Sequence, residues 1–435
     1  MADVNPFRGL RYDLGQVGDL SDVTAPPYDV ISPQQQKELY ELHPCNVIRL
    51  ILNRDEPGDT DPDARYKRAA TFLRHWQSER ILIPEHEDAL YVYHQEFDWE
   101  GRHYVRQGFM GRVRIEDFGK GKIYPHEQTL SGPKADRLAL TKACKMNLSP
   151  VFGLYPDPTG EVNALLADTV IGATPLVATD HLGVVHRMWP VANVNVINAV
   201  RAHLRDTPIF IADGHHRYET ANTYRNWLKE QGQYRGESDP SNFVLMTLVG
   251  MSDPGLAILP THRLVSDIPA LASGELANAI SSHLAVESMG TGEEAAQKTW
   301  LRIERDGGQN VFGFGTASDG GWLFARVTDA SPMATLAPDQ SDAWRELGVS
   351  LLHKLVIDDL LKRRFPQSEP KFKYVHLLSE TTQTLADKSC QLACLVPPAR
   401  IEHVEAIASK FEKMPPKSTY FYPKLLSGLV FNPLV

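Results

Sequence analysis

The chain has 435 residues, a formal net charge of −9, and 42% hydrophobic and 23% charged residues, a composition that excludes a mainly disordered protein and allows one large core or two to three smaller ones. The acidic excess argues against a protein whose work is gripping nucleic acid, which calls for a basic face. The longest apolar runs, such as Phe243 to Met251, are too short to span a bilayer, the start carries no basic segment followed by an apolar one, and the four cysteines suit a reducing compartment, so a cytoplasmic protein without membrane or nucleic-acid partners is expected.

In chain order, Phe7 to Tyr12 is predicted to begin a strand, and TAPPYDVISP is a proline-fixed loop carrying Asp29. Asp29 fits a catalytic base or an Asx-type turn equally well. Pro33 to Leu42 reads as a helix begun at Ser32, and a second helix runs from about Pro62 to Arg80 with Tyr66, Ala69, Ala70, Leu73 and Trp76 on its apolar side. From Ala89 the period changes to near-alternation around a Trp-Glu-Gly turn, which predicts a β-hairpin. NFVLMTLVGM reads as a fully buried strand. A boundary is placed near Ser266, dividing a main α+β domain, 1–266, from a second α+β lobe, 267–435, whose C-terminal loop returns to the active-site cleft. In that lobe we expect a helix, a small glycine-turned sheet, one helix from Ser341 to Arg364, and from Lys373 a strand, a strand, a helix and a last strand near Leu429. The fold class is α+β, with mixed sheets and packed helices. Neither the phosphate loop GxxxxGK followed by Ser or Thr nor GxGxxG occurs, so no standard nucleotide-triphosphate loop or dinucleotide fold is predicted.

The most telling stretch is PIFIADGHHRYETANTYRNWL. Pro208 to Ala212 reads as a buried strand, and Tyr218, Ala221, Tyr224 and Leu228 recur at helical spacing, so Asp213, Gly214, His215, His216 and Arg217 sit where a helix begins. Backbone N–H groups and the positive end of the helix dipole make that turn a site for phosphate or carboxylate, with the histidines and Arg217 adding donors and charge. The bland alternative makes Asp213 a helix cap and Arg217 a solvated first-turn residue.

Two further segments concentrate polar chemistry. In IYPHEQTLSGPKADRLALTKACKMNLSPVFGLYPD, His126 and Glu127 precede a loop, Lys134 and Arg137 begin a helix, and Asn147 follows it; an imidazole and a carboxylate beside basic groups suit proton transfer in an anionic site. In MPPKSTYFYPKLLSGLVFNP, Lys417, Ser418, Thr419 and Lys424 alternate with aromatics, and Lys417 is favoured as a second phosphate ligand. Thr261, His262 and Arg263 follow the buried strand and are expected to line the same cleft.

NPFRGLRYD, APPYDVISP, PHEQT, DRLAL, NLSPVFGLY, ADGHHRYETA, DPGLAILPTHRLV and MPPKSTYFYPK together resemble, over nearly the whole chain, a broad bacterial and archaeal family known only as a domain of unknown function. ADGHHRY also resembles the DGHHR-type loop of the ParB/sulfiredoxin superfamily, whose members include free-serine kinases, which adds a ParB/sulfiredoxin-like element to the expected fold. The resemblance implies that Asp213 to Arg217 hold the transferred or leaving phosphate, and it points to pyrophosphate-dependent serine kinases. A sulfiredoxin activity would need a cysteine in the loop, which is absent.

The expected activity is phosphoryl transfer to a small hydroxylated metabolite, foremost free L-serine, from pyrophosphate or a nucleotide, with Mg²⁺ as helper. Arg217, His216 and backbone N–H groups would stabilise the phosphate, Lys417 or Lys134 the distal phosphate, and Glu127 or Asp29 would take the hydroxyl proton, with His126 orienting it. The alternatives are a metal-dependent hydrolase using His215 or His216, His126, Glu127 and Asp213, and a non-catalytic protein that binds an anion or DNA.

Overall fold

A computed structural model describes residues 2–129 and 131–435. The chain divides into two compact units, one made of Met1–Pro125, Thr129–Ala257 and Pro423–Val435, the other of His126–Gln128 and Ile258–Tyr422.

The first unit is built on a mixed sheet. Among the described residues its nine strands are β1 (Val4–Asn5), β2 (Leu90–Trp99), β3 (Arg102–Arg114), β4 (Ile123–Pro125), β5 (Val151–Tyr155), β6 (Leu176–Thr179), β7 (Val185–Val191), β8 (Ile209–Asp213) and β9 (Phe243–Gly250), in the order β4-β8-β5-β9-β3-β2-β7-β6 with β1 on β3. The β9 run does not alternate because all eight of its residues are buried, as a strand covered on both faces requires. It lies parallel to β5 and antiparallel to β3. The predicted hairpin is β2–β3, with Trp99 opposite Arg102. Glu100 and Gly101 between them both have positive φ, 50° and 74°, the left-handed pair that matches the twist of a two-residue hairpin.

Local signals place the helices of this unit. Pro33–Leu42 starts with proline at its first position while Ser32 Oγ accepts the Gln35 N–H at 3.2 Å. Ala64–Ser78 buries Tyr66, Ala69, Ala70, Leu73 and Trp76, the stripe expected from the spacing, and Trp76 packs its ring 6.0 Å from Tyr12 and 6.2 Å from Phe72. The strand expected from Phe7 to Tyr12 is shorter, Leu10–Tyr12, and before it the Gly9 N–H turns to the Tyr91 hydroxyl at 2.8 Å. The last strand, expected near Leu429, is Asn432–Pro433, paired with Met146–Asn147.

The second unit holds an antiparallel sheet with, among the described residues, six strands: β10 (His262–Ser266), β11 (Leu284–Thr291), β12 (Val311–Thr316), β13 (Gly321–Val327), β14 (Lys371–Val375) and β15 (Leu392–Leu395), in the order β11-β13-β12-β15-β10-β14. Ala296 and Ile303 of the Gly292–Asp306 helix and Leu385 of the Leu378–Ala386 helix pack with Trp322, Phe324 and Leu395 into its core. Cys390 and Cys394 are buried there as free thiols.

Two expectations for this unit are corrected. Ser341 to Arg364 is not one helix: Asp342–Arg345 ends, Leu347 is extended at φ −65° and ψ 133°, and a new helix starts at Gly348 and continues as a π-helical stretch, Leu351–Leu361. At the break Gln309 takes the Gly348 N–H on its side-chain oxygen at 3.0 Å, and its carbonyl oxygen would lie only 2.8 Å from a Gly348 Cβ. The helix Leu378–Ala386 between β14 and β15 was not expected, because only Thr381 and Leu385 are buried along it, too few to show a period. No described helix is long and apolar enough to cross a membrane.

Trp76 anchors the Ala64–Ser78 helix, so Trp76→Ala should lower the unfolding free energy by about 3–5 kcal/mol, read from the denaturant midpoint. A loss well below 1 kcal/mol would detach this helix from the cooperative core.

Candidate anion-binding site

The site begins at the end of β8. Its apolar run fixes Ile209 to Ala212 in the core, and Asp213 is the first polar residue the strand delivers at its edge. Gly214 then takes a left-handed conformation, φ 87° and ψ 27°, and the helix His215–Glu230 starts at once with no side-chain cap. An L side chain at 214 would be strained, and its Cβ would stand 2.9 Å from Arg217 Nε. The chain thus aims the start of a sixteen-residue helix, with its dipole, at the space beside Asp213.

Three cations act on that space. Lys424 Nζ lies 2.7 Å from Asp213 Oδ2, and an Arg217 terminal nitrogen 3.4 Å from Oδ1. Burial pushes the Asp213 carboxyl up, but Lys424, then Arg217 and His215, outweigh it and hold the group well below the usual carboxylate range. Arg217 also donates to the Pro150 carbonyl. Arg106 is buried over the Phe152 ring at 4.8 Å and donates to Gln95 Oε1 and the Pro423 carbonyl. Burial lowers its pKa to about 10, with Asp213 among the charges that oppose the drop, so it stays charged at neutral pH. Gln95 in turn donates to the Lys424 carbonyl at 2.9 Å, and the Arg106–Gln95 pair thereby fixes the backbone that carries Lys424.

Beside the turn, the helices Ser131–Cys144 and His215–Glu230 flank a cavity of about 50 Å³. Tyr28, Arg137, Asn147, Ser149, Arg217 and Thr220 supply its polar wall. The Arg137 guanidinium stacks 3.9 Å from the Tyr28 ring centroid, donates to Asp136 and donates to the Ile51 carbonyl at 2.6 Å. The Tyr28 hydroxyl is raised in pKa by burial and by Asp29, against the opposing pull of Arg137 and Arg217, and stays protonated at neutral pH.

The first unit therefore brings together Asp213, Gly214, His215, His216, Arg217, Arg137 and Asn147. His215 is buried and His216 half-buried. Asn147 accepts the Leu245 N–H at 3.0 Å and the Asn432 amide at 2.9 Å. Lys134 pairs with Glu219 at 2.9 Å, and Thr129 donates to the same carboxylate. Asp29 is exposed on the turn that carries Tyr28.

The remaining candidates belong to the second unit. His126 is buried with Nε2 3.0 Å from Thr419 Oγ1, and Glu127 is half-buried. Ser418 donates to the Pro415 carbonyl at 2.6 Å, while Lys417 is exposed with φ 57°. Arg263 is buried and donates to the carbonyls of Thr261 and Lys417, so it pins the loop before Ser418. His262, buried against Trp300, is pushed down to about 3 by burial, Arg263 and His376 and is neutral. Thr261 Oγ1 lies 3.5 Å from His376 Nδ1. Among the described residues, no group of three or more His, Cys, Asp or Glu side chains is arranged to hold a metal ion.

Sequence reasoning missed Arg106, Gln95, Tyr28 and Thr220, and favoured Lys417 over Lys424. Lys424 lies in the C-terminal segment where Lys417 was favoured, and no spacing distinguishes the two lysines. Arg106 and Gln95 sit on opposite hairpin strands and read as ordinary alternating polar positions.

The sequence matches the family described as "Protein of unknown function (DUF1015)" over residues 4–350. The chain belongs to DUF1015. That match takes in Asp213 to Arg217, Arg137 and Tyr28, whereas Lys424 lies beyond it. No curated protein matches the DUF1015 sequence. Among solved structures the chain is similar to a conserved hypothetical protein from Pyrococcus furiosus, at 13% identity and a TM-score of 0.34 over 71% of this chain and 91% of that one. It is also similar to a free serine kinase in complex with AMP, at 12% and 0.32 over 69% and 83%, and to SbnI with a C-terminal truncation from Staphylococcus aureus, at 11% and 0.33 over 75% and 87%. At these scores the likenesses carry no conclusion about the chemistry of this DUF1015 chain.

Asp213→Asn should cost about 3 kcal/mol of stability at neutral pH, because Lys424 and Arg217 lose their shared counter-charge. Since the folded carboxyl titrates below its unfolded value of about 3.9, the gap between wild type and variant should persist down to about pH 4 and close only under more acidic conditions. A gap that closes between pH 6 and 5 in parallel denaturation series would contradict the pairing.

Proposed function

We propose that this chain transfers a phosphoryl group from pyrophosphate or a nucleotide to a small hydroxylated metabolite, with free L-serine, giving O-phosphoserine, as the leading acceptor. One observation carries the reading: a helix start without a side-chain cap, entered through a left-handed glycine, faces a space on which Arg217, Lys424 and Arg106 act and which holds one carboxylate, Asp213. Phosphoryl transfer asks a protein mainly for positioning and charge neutralisation, and this arrangement supplies both. The resemblance of ADGHHRY to the DGHHR-type loop supports the same use of these residues.

In the proposed reaction the serine hydroxyl oxygen bonds to phosphorus while the bond from phosphorus to the donor's bridging oxygen breaks, and the hydroxyl proton passes to a carboxylate. Backbone N–H groups at Gly214 to His216, with Arg217, would bear the charge on the transferred group. Asp136 and Asp213 are committed to cations, whereas Asp29 has no ion-pair partner among the described residues and lies next to Tyr28. We assign the base to Asp29, and the contact with the distal phosphate to Lys134. A divalent cation such as Mg²⁺ would be carried on the donor's phosphate oxygens, in keeping with its preference for water and phosphate over all-protein sites.

Purified protein with Mg²⁺ and L-serine, given pyrophosphate, ATP or ADP in separate reactions, should form O-phosphoserine with one of them, detected by mass spectrometry. Arg217→Ala should cut turnover about 10²- to 10³-fold at a temperature where circular dichroism shows the variant still folded. No product with any donor would remove serine as the acceptor, and an unaffected Arg217→Ala would remove the loop from the chemistry.

A further inference from the structure

Thr220 behaves unlike its helical neighbours. Thr223 donates to the Glu219 carbonyl at 2.9 Å and Thr141 to the Arg137 carbonyl at 2.8 Å, the usual back-bonding of a threonine in a helix. Thr220 is 3% exposed, and its hydroxyl has no hydrogen-bond partner among the described residues. A buried hydroxyl left unpaired costs about 1–3 kcal/mol, and Thr220 is among the residues that line the cavity that also presents Arg137 and Arg217.

The charges around that cavity do not cancel. Asp136 serves both Arg65, at 3.0 Å, and Arg137, and Asp213 serves both Arg217 and Lys424. Each guanidinium on the cavity wall thus shares its carboxylate with another cation, and each keeps N–H groups beyond those it gives to Asp136 and Ile51 or to Asp213 and Pro150. Side-chain exposure is 10% for Arg137 and 11% for Arg217, so their charges act in a poorly solvated space. The volume, about 50 Å³, suits a carboxylate. Ile51, Leu140, Met146 and Val244 supply apolar wall, which a short carbon chain would contact.

We propose that this cavity is a carboxylate pocket for the acceptor, holding the acid end of a short hydroxy or amino-hydroxy acid between Arg137, Arg217 and the Thr220 hydroxyl, while its hydroxyl faces the Gly214 turn. Arg217 lies at the border of both regions, since its guanidinium covers Gly214 and lines the cavity. The proposal rests on the phosphotransferase reading only for the word acceptor; recognition of the carboxylate stands on the pocket alone.

The test is calorimetric binding, without any donor, of glycolate, L-lactate and L-serine to the full chain, with serinol, in which a hydroxymethyl group replaces the carboxylate, as control. At least one carboxylate should bind at millimolar concentration and serinol should not. Thr220→Val, which keeps the shape and removes the hydroxyl, should weaken that binding about tenfold, as loss of a hydrogen bond to a charged group does. Arg137→Lys, which keeps charge but loses the planar fork, should weaken it at least as much. Serinol binding as well as serine, no carboxylate binding at all, or an unaffected Thr220→Val of wild-type melting temperature would each overturn the pocket. Carboxylate binding with this pattern but no phosphorylated product would sink phosphoryl transfer and leave the pocket standing. Phosphorylation indifferent to Thr220→Val and to serinol would do the reverse.

Discussion

The Asp213 carboxylate, shared by Arg217 and Lys424, is the constraint on which this site depends. It joins a strand end, the first turn of a helix and the C-terminal segment through one half-buried group. A carboxylate in such a place is stable only because two cations outweigh its desolvation, and each cation is held there by the same bargain. Without Asp213, Arg217 and Lys424 would face each other as unscreened like charges. With it, they remain close and still leave net positive charge beside an open helix start.

Lys424 can play this part because the segment that bears it is stitched down along its length. Gln95 and Arg106 bind the carbonyls of Lys424 and Pro423. Farther on, Ser427 pairs with Ala25 and bonds Ser149, Phe431 pairs with Leu10, and Asn432 pairs with Asn147. These contacts are spread over the N-terminal loop, the hairpin and the segment after Cys144, so the last thirteen residues report on the whole unit. Arg106, a buried guanidinium, would be a liability elsewhere; here its donors meet Gln95 and a backbone carbonyl, and its guanidinium lies over the Phe152 ring.

The same economy explains the neighbouring cavity. Arg137 is stacked on Tyr28 and anchored on Asp136 and Ile51, so its position costs no further ordering when a ligand arrives. Tyr28 reaches it from a loop stiffened by Pro26 and Pro27, which gives the conspicuous proline pair a positional purpose. In the second unit the buried Arg263 does comparable work on backbone carbonyls and holds the Pro416–Lys417 loop, which accounts for the burial of a residue that sequence alone placed in a cleft.

Much of this was readable in the chain. The caps and spacing of Pro33–Leu42, the buried stripe of the Ala64–Ser78 helix, the hairpin around Glu100-Gly101, the fully buried β9 and the strand-to-helix turn at Gly214 are all local, set by periods of two or 3.6 residues and by residues that favour special backbone angles. What stayed hidden is non-local. At the break beside Leu347 the Gly348 N–H is taken by Gln309, far away in sequence. Lys424 pairs with a carboxylate more than two hundred residues earlier, and the cavity that Thr220 lines together with Tyr28 and Arg137 is assembled from segments far apart in the chain. The sequence by itself determined where a helix would begin behind a glycine with charge beside it. The tertiary structure decided which of many arginines and lysines would neutralise Asp213 and which would be left facing a cavity, because Coulomb interactions depend on distance through space and on burial, and neither is encoded in spacing along the chain.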